Sequence, residues 1–216
     1  MDNSDFSGQS VVANAVRVRV DGASSLPSYV DRVAALYASD FSASESLQEY
    51  SANEERIRKK LLDDYSTDPR FKGENVPDPT FRIVTVWSDQ DEILGFVYGA
   101  ALSYTTRWWA NIHESLSAEF TQEDGRRTLA LFDICVKADA RGRGLASLLH
   151  ASLLRGRIEA RVTLQCSNER YPAYPIWRHW GYQKVGTTTS RKDGKVRHVL
   201  IRDIACRTNE DAQTKG

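Results

Sequence analysis

The chain has 216 residues, and its 29 basic and 29 acidic side chains cancel at pH 7. This balance argues against nucleic-acid and anionic-membrane partners, which usually select an excess of Lys and Arg. The N-terminal segment lacks a charged-then-apolar leader pattern, and no run of about 18 apolar residues follows it, so we expect a cytoplasmic protein without a membrane segment. Cys135, Cys166 and Cys206 lack close spacing, which indicates neither a disulfide framework nor a metal site.

Hydrophobic periodicity and turn residues predict a mixed α/β domain over residues 13–206, between polar tails at 1–12 and 207–216. A long segment at 104–127 separates two predicted strands and is typical of a functional flap. The elements predicted in chain order are a strand at Asn14–Val20, helices at Ser28–Phe41 and Leu47–Tyr65, strands at Phe81–Trp87 and Glu92–Ser103, the flap, a strand at Thr128–Lys137, a helix at Gly144–Arg157, a strand at Arg161–Ser167, a helix at Pro175–Trp180, and strands at Tyr182–Thr189 and Val196–Ile204.

The stretch KADARGRGLASLLHASLL, residues 137–154, joins a predicted strand to a predicted helix through Arg141-Gly142-Arg143-Gly144. A helix start presents free backbone N–H groups and the positive end of the helix dipole. Glycine lets a bulky phosphate approach that backbone, and arginine adds cationic donors. The turn is therefore interpreted as a cradle for a pyrophosphate.

Three phosphate-loop patterns differ in how well they fit this turn. The Walker pattern is absent, and the dinucleotide fingerprint fails because Ser147 occupies its third glycine position. The pattern Arg/Gln-x-x-Gly-x-Gly/Ala is filled by Arg141, Gly144 and Ala146. Together with the strand FDICVKADARGRG, the later segment PIWRHWGY and the order of elements, this pattern resembles the GNAT acyltransferases over roughly residues 81–190.

The resemblance implies the GNAT fold, a mostly antiparallel central sheet flanked by helices and splayed between its fourth and fifth strands. It also implies acetyl-CoA as co-substrate and no metal, with the pantetheine arm in the splay and the pyrophosphate on the glycine turn. The residues implied to bind the cofactor are Ile134, Cys135, Val136, Arg141, Gly142, Arg143, Gly144, Leu145, Ala146, Ser147 and Asn168.

The candidate general base is Asp133, the one acid in the strand that leads to the cradle. An amine nucleophile must lose a proton, and a carboxylate among apolar neighbours has a raised pKa suited to that task near neutrality. Strand alternation predicts that Asp133 shares a face with Leu131 and Cys135. A structural aspartate is the alternative, and Glu114 and Glu119 in the flap are rival acids.

The usual family acid for the departing thiolate is a tyrosine in the late helix, where this chain has Trp177. Tryptophan has no useful proton to give, so Tyr174 is the candidate acid, with packing as its alternative. In the flap, Trp108, Trp109 and Glu114 are candidates for acceptor binding, with flap anchoring as the alternative for the tryptophans.

These observations predict an N-acetyltransferase that moves an acetyl group from acetyl-CoA to a primary amine of a small molecule by direct attack in a ternary complex. A protein or aminoacyl-tRNA acceptor, or a non-catalytic acyl-CoA sensor, are the alternatives. The sequence leaves the acceptor and the choice between a monomer and a homodimer open.

Overall fold

The computed structural model describes residues 16–41, 54–71, 74–167, 173–189 and 194–204. The predicted tails at 1–12 and 207–216 lie outside these ranges. None of the helices in the described ranges is long and apolar enough to cross a membrane. The same residues contain no group of three or more His, Cys, Asp or Glu side chains that could hold a metal ion.

The described residues form one seven-stranded sheet in the order β1-β2-β3-β4-β5-β7-β6. Every neighbouring pair is antiparallel except β4 and β5, which run parallel. This arrangement confirms the predicted mixed α/β class and the mostly antiparallel sheet. The strands are β1 (Arg17–Asp21), β2 (Arg82–Trp87), β3 (Ile93–Ala101), β4 (Thr128–Val136), β5 (Arg161–Cys166), β6 (Gln183–Thr189) and β7 (Val196–Asp203).

Helices cover both faces of the sheet, and the two faces have separate hydrophobic cores. On one face, helix α1 and the following helix pack against Phe96, Tyr98 and Cys135. On the other face, the helix after β4 packs against Leu129 and Leu131. The helices are α1 (Val30–Phe41), α2 (described over 54–65, with a π-helical last part at Lys60–Tyr65), α3 (Ala118–Thr121), α4 (Leu145–Leu154) and α5 (Tyr174–His179).

Strands β4 and β5 are paired at one end only. Their register runs from Thr128 opposite Arg161 to Ala130 opposite Thr163, and no further β4–β5 pair follows in these described strands. The rest of β4 continues to pair with β3 on its other side. The predicted splay between the fourth and fifth strands is therefore confirmed, and it leaves one edge of the second half of β4 without a neighbouring strand.

A β-bulge in β4 changes which side chains face each helix layer. Tyr98 lies opposite Asp133, but its neighbour Gly99 lies opposite Leu131, so Phe132 is an extra residue. A Cβ on Gly99 would lie 2.3 Å from the Ala130 carbonyl oxygen, so only glycine permits this close approach.

The bulge corrects one prediction from strand alternation. Leu131 packs on the α4 face, whereas Cys135 packs on the α1 face. Asp133 lies on the α1 face, where its carboxyl accepts a hydrogen bond from a tyrosine of α1. The prediction that Asp133 shares a face with Cys135 is right, and the prediction that it shares a face with Leu131 is wrong, because the extra residue reverses the alternation.

A buried polar network holds the paired end of β4 and β5. The Glu123 carboxylate accepts hydrogen bonds from the Trp109 indole at 2.9 Å, from the Thr128 hydroxyl at 2.7 Å and from the Arg161 guanidinium at 3.0 Å. Arg161 also donates to the Phe120 carbonyl at 2.7 Å and lies over the Phe120 ring. The network ties the flap to the first residues of both strands, so it fixes the point from which the strands diverge.

Candidate active site

A cavity of about 790 Å³ lies where β4 has separated from β5. The end of β4, the turn after it and the first residues of α4 form one wall, and α5 forms the other. The family resemblance implies a set of cofactor-binding residues, and every described member of that set except Arg143 lines this cavity. The lining residues are Ile134, Cys135, Val136, Ala140, Arg141, Gly142, Gly144, Leu145, Ala146, Ser147, Ala173, Pro175, Ile176, Trp177, His179 and Trp180.

The glycine turn leaves open space at the start of α4. Gly142 and Gly144 have φ angles of +73° and +77°, a left-handed conformation that strains other residues. A Cβ built on either glycine would meet nothing within 4 Å. Gly144 caps the helix without a side-chain hydrogen bond, and the first turn of α4 contains no acidic residue. The N–H groups of that turn are therefore accessible to an anionic group, and the helix dipole favours one.

Aromatic side chains form the α5 wall. Trp177, at the usual tyrosine position, is only 5% exposed, and its ring meets those of Trp180 and Tyr182 edge to face. His150 of α4 stacks on Trp180 with ring centroids 4.5 Å apart and lies 2.9 Å from the Tyr182 hydroxyl. Burial lowers the pKa of His150 to about 4, so it is neutral at pH 7. This cluster was not identified from the sequence. Its rings make the α5 wall largely aromatic.

Asp133 lies just beyond the bulge, on the opposite face of β4 from α4. The residue keeps some solvent exposure, but burial desolvates its carboxyl. This desolvation raises its pKa to about 6. A hydrogen bond from Tyr37, another from the Ile134 N–H at 3.0 Å, and the positive charges of Lys60 and Arg197 oppose the rise.

A cluster of aromatic rings lies near this carboxyl. Tyr65 of α2 stacks on Phe132 with ring centroids 4.3 Å apart, and Tyr98 lies 5.4 Å from Tyr65. The Trp108 ring lies 6.3 Å from Phe132, and the Lys60 ammonium is 4.7 Å from the centre of the Tyr65 ring. Helices α1 and α2 supply groups that the sequence did not connect to Asp133, because their contacts depend on how the helices pack on the sheet.

Tyr174 is not one of the residues that line the cofactor cavity. Its neighbours Ala173 and Pro175 line that cavity, but its own ring meets His198 of β7 edge to face at 5.6 Å. It borders a separate groove with Arg178, Gln183 and Lys184. This placement supports the packing interpretation of Tyr174 over the acid interpretation. Asn168 lies outside the described residues.

The three flap candidates have different contacts. Trp108 packs against Phe132 beside Asp133, whereas Trp109 is 8% exposed and donates its indole N–H to Glu123. Trp109 therefore anchors the flap. Glu114 accepts the Thr187 N–H at 2.6 Å, a bond that holds the pKa of Glu114 below its usual value. It fastens the flap to β6, so Trp108 alone of the three is placed near Asp133.

Comparison with solved structures identifies the fold. NAA60 of Arabidopsis thaliana in complex with acetyl-CoA is 12% identical, with a TM-score of 0.56 over 88% of this chain and 99% of that one. An aminoglycoside 6′-N-acetyltransferase complexed with coenzyme A is 14% identical, with a TM-score of 0.53 over 88% and 99%. Ard1 of Thermoplasma volcanium is 14% identical, with a TM-score of 0.50 over 88% and 98%. A search among curated proteins gave no significant match.

The splayed parallel strands β4 and β5, the glycine turn after β4 and the adjoining cavity are the features of an acyltransferase domain. The family model described as "Acetyltransferase (GNAT) family" matches residues 34–182, more than half of the chain. The chain therefore belongs to the GNAT family of acetyltransferases. It is an acetyl-CoA-dependent N-acetyltransferase, as the resemblance seen in its sequence implied.

Proposed function

We propose that this enzyme transfers the acetyl group of acetyl-CoA to a primary amine of a small molecule, with Asp133 as the general base. The observation that carries the proposal is the position of Asp133. It is a desolvated carboxyl on the one strand that also lines the cofactor cavity, directly before the residues Ile134 and Cys135 of that lining. A base at this point is close in the chain to the exposed strand edge along which an acyl donor would lie.

The cavity fits coenzyme A in chemistry as well as in shape. The end of β4 at Ile134, Cys135 and Val136, where the described part of β5 no longer pairs with it, lines the cavity in which a pantetheine arm would lie. The N–H groups of the turn and of the first residues of α4, from Gly142 to Ser147, offer donors to a pyrophosphate, and Arg141 adds a positive charge. Bound acetyl-CoA supplies the thioester carbonyl that the acceptor amine attacks.

Asp133 has the properties that this attack requires of a base. An ammonium has no lone pair, so the acceptor must give up a proton before its nitrogen can form the amide bond. With a pKa of about 6, the carboxyl is mostly ionised at pH 7 and is a stronger base than an ordinary aspartate. The carboxylate first pairs with the ammonium and then takes its proton, directly or through a water molecule.

The departing thiolate needs no tyrosine at position 177 in this account. The carbon–sulfur bond breaks as the amide bond forms, and the proton that the nitrogen then loses is taken up by the departing sulfur or by water. A thiolate is a weak enough base to leave without a strong acid. Trp177 instead contributes an apolar wall to the cavity. Tyr174, whose ring packs on His198, is not assigned a step.

A small acceptor fits the setting of Asp133 better than a folded protein surface. The carboxyl is desolvated and lies close to the Tyr65 ring that stacks on Phe132, and aromatic faces attract cations such as an ammonium group. Among the structural neighbours, the aminoglycoside 6′-N-acetyltransferase is named for an acceptor of this kind.

Steady-state thiol release from acetyl-CoA tests the proposal. A panel of small primary amines is compared with peptides carrying a free N-terminus or a lysine, at equal amine concentration. The proposal expects turnover with at least one class of small amine and much slower turnover with peptides. Preferred turnover of peptides would reverse the acceptor class, and acetyl-CoA binding without turnover on any amine would favour an acyl-CoA sensor.

A further inference from the structure

We propose that Tyr37 is the positioning residue of the proposed base: its hydroxyl donates a hydrogen bond that holds the Asp133 carboxyl in one orientation and in its ionised form. The inference rests on the proposed function, because it assigns a role relative to Asp133. In the sequence, Tyr37 is one of the apolar-spaced residues of the predicted helix at Ser28–Phe41, with no sign of a polar role.

Two packing features bring Tyr37 and Asp133 together. The Tyr37 ring lies over Phe96 of β3, with centroids 6.3 Å apart and planes 27° from parallel, so the helix side chain rests on the sheet. The bulge at Phe132 turns Asp133 to the same face. With regular alternation from Leu131, Asp133 would face α4, so the bulge is what brings Asp133 to the face of Tyr37.

Several other groups face Asp133, and they act on it differently. In the described residues, Tyr37 is the one tyrosine that is hydrogen-bonded to the carboxyl, whereas Tyr65 and Tyr98 are close enough for the Asp133 charge to raise their pKa but make no hydrogen bond to it. Burial raises the pKa of Tyr37, so its hydroxyl keeps its proton and remains a donor throughout the working pH range. The titratable or charged groups that face Asp133 besides Tyr37 are Lys60 and Tyr65 of α2, Tyr98 of β3 and Arg197 of β7.

The substitution Tyr37→Phe removes the donor and keeps the ring that packs on Phe96. A hydrogen bond to the carboxylate stabilises the ionised form, so its loss raises the pKa of Asp133. Loss of one bond to a charged group corresponds to a rise of about one pH unit. The ionised fraction at pH 6 then falls about fivefold, while the fraction at pH 9 hardly changes.

The direct measurement is the titration of Asp133 itself, which needs no acceptor. The side-chain carboxyl signal of Asp133 is followed by NMR from pH 4 to 9 in protein with isotope-labelled aspartate, and Asp133→Asn identifies the signal. We expect its midpoint to move up in Tyr37→Phe. The matched control is Tyr65→Phe, which removes a nearby hydroxyl that is not bonded to Asp133, and its midpoint should stay within about 0.3 units because a neutral phenol exerts little charge effect.

Thiol release with the best amine of the panel provides the second measurement. In Tyr37→Phe the acid limb of kcat/KM should move up with the NMR midpoint, with little loss at pH 9. An unchanged midpoint, or an equal loss of rate at every pH, would overturn the positioning role. Failure of the proposed function is distinguishable, because Asp133→Asn would then turn over at the full rate whatever Tyr37→Phe does.

Discussion

The two halves of β4 have opposite environments. At its start, Thr128 is buried between β3 and β5 and belongs to the network of Glu123, Trp109 and Arg161. At its end, β4 no longer pairs with β5, and one of its edges lines the cavity. Asp133 lies in this half, on the face of the sheet opposite α4. One strand therefore fixes the fold with its first half and carries the proposed chemistry with its second.

The difference between the halves shows how a sheet gains a binding site without losing its stability. A strand edge without a partner normally costs hydrogen bonds or invites aggregation. Here the unpaired edge faces a cavity walled by α5, and the buried network at the other end holds the strands where they diverge. Changes in the first half should therefore affect stability, and changes in the second half should affect binding and turnover.

The largest expected effect is on stability, from Glu123→Leu. This substitution leaves the Arg161 guanidinium buried without its carboxylate, and breaking a buried pair in this way costs about 3–5 kcal/mol. Denaturant unfolding measures the loss, and acetyl-CoA affinity of the folded protein should change little. Adding Arg161→Met should recover much of the stability, because the uncompensated charge is then gone. A double variant as unstable as the single one would contradict this account of the paired half.

The next effect is a gain in stability from Asp133→Asn. The folded-state pKa of Asp133, about 6, lies above its ordinary value of 3.8, so ionising this carboxyl costs the folded state free energy. The cost is absent below pH 3.8, grows as the pH rises to about 6 and is complete above it. The Asn variant should therefore be more stable at pH 7, by up to about 3 kcal/mol.

The wild type must be compared with the Asn variant, because the titration of His150 changes the free energy of unfolding in the opposite direction over part of the same pH range. Its pKa is lowered to about 4, so its contribution to stability is lost as the pH falls from 6.5 towards 4. Both proteins share this loss, and the difference in their free energies of unfolding isolates Asp133. A difference that does not change between pH 4 and 7 would show that burial does not perturb this carboxyl.

A smaller effect is expected on acetyl-CoA affinity from Gly144→Glu. The new side chain places a negative charge where we propose that the pyrophosphate binds, and affinity should fall more than about tenfold, or about 1.4 kcal/mol. Gly156→Glu is a matched control after the other end of α4. Gly156 also has a positive φ, +67°, and open space around a Cβ, so it bears the same strain and charge change. Calorimetry showing equal affinity for both variants would remove the cradle assignment.

The smallest effect is expected from Tyr174→Phe. Because the Tyr174 ring packs on His198 and borders a different groove, the variant should keep nearly the wild-type rate and pH profile. A phenol that protonates the thiolate would titrate near pH 10 unless its surroundings shift it. If the high-pH limb of the rate profile disappears in this variant, Tyr174 is the acid and the packing interpretation fails.

The sequence predicted most of the architecture because its signals are local. Alternation and turn residues located the seven strands that the described residues form, and the turn Arg141–Gly144 marked the start of α4 together with the cavity wall. The separation of β4 from β5 was predicted from the family resemblance and not from any pattern of residues.

The surroundings of Asp133 were not predictable in the same way. They depend on the bulge at Phe132, which reverses the alternation, and on the packing of Tyr37 and Tyr65 from two distant helices. One signal was present: Gly99 stands in the middle of a β-rich run, and an interior glycine often marks a bulge. The contacts of Glu114 with β6 also arise only from the folded position of the flap.

The most direct test of the account is the rate of Asp133→Asn measured beside its acetyl-CoA affinity. Asparagine keeps the shape of the side chain but cannot take a proton from the amine. We predict that kcat for the best small amine falls by about 10²-fold or more, the usual scale for loss of a general base, while calorimetry shows acetyl-CoA affinity nearly unchanged. Full turnover from pH 6 to 9, a window that starts at the pKa of Asp133, would contradict the assignment of this carboxyl as the base.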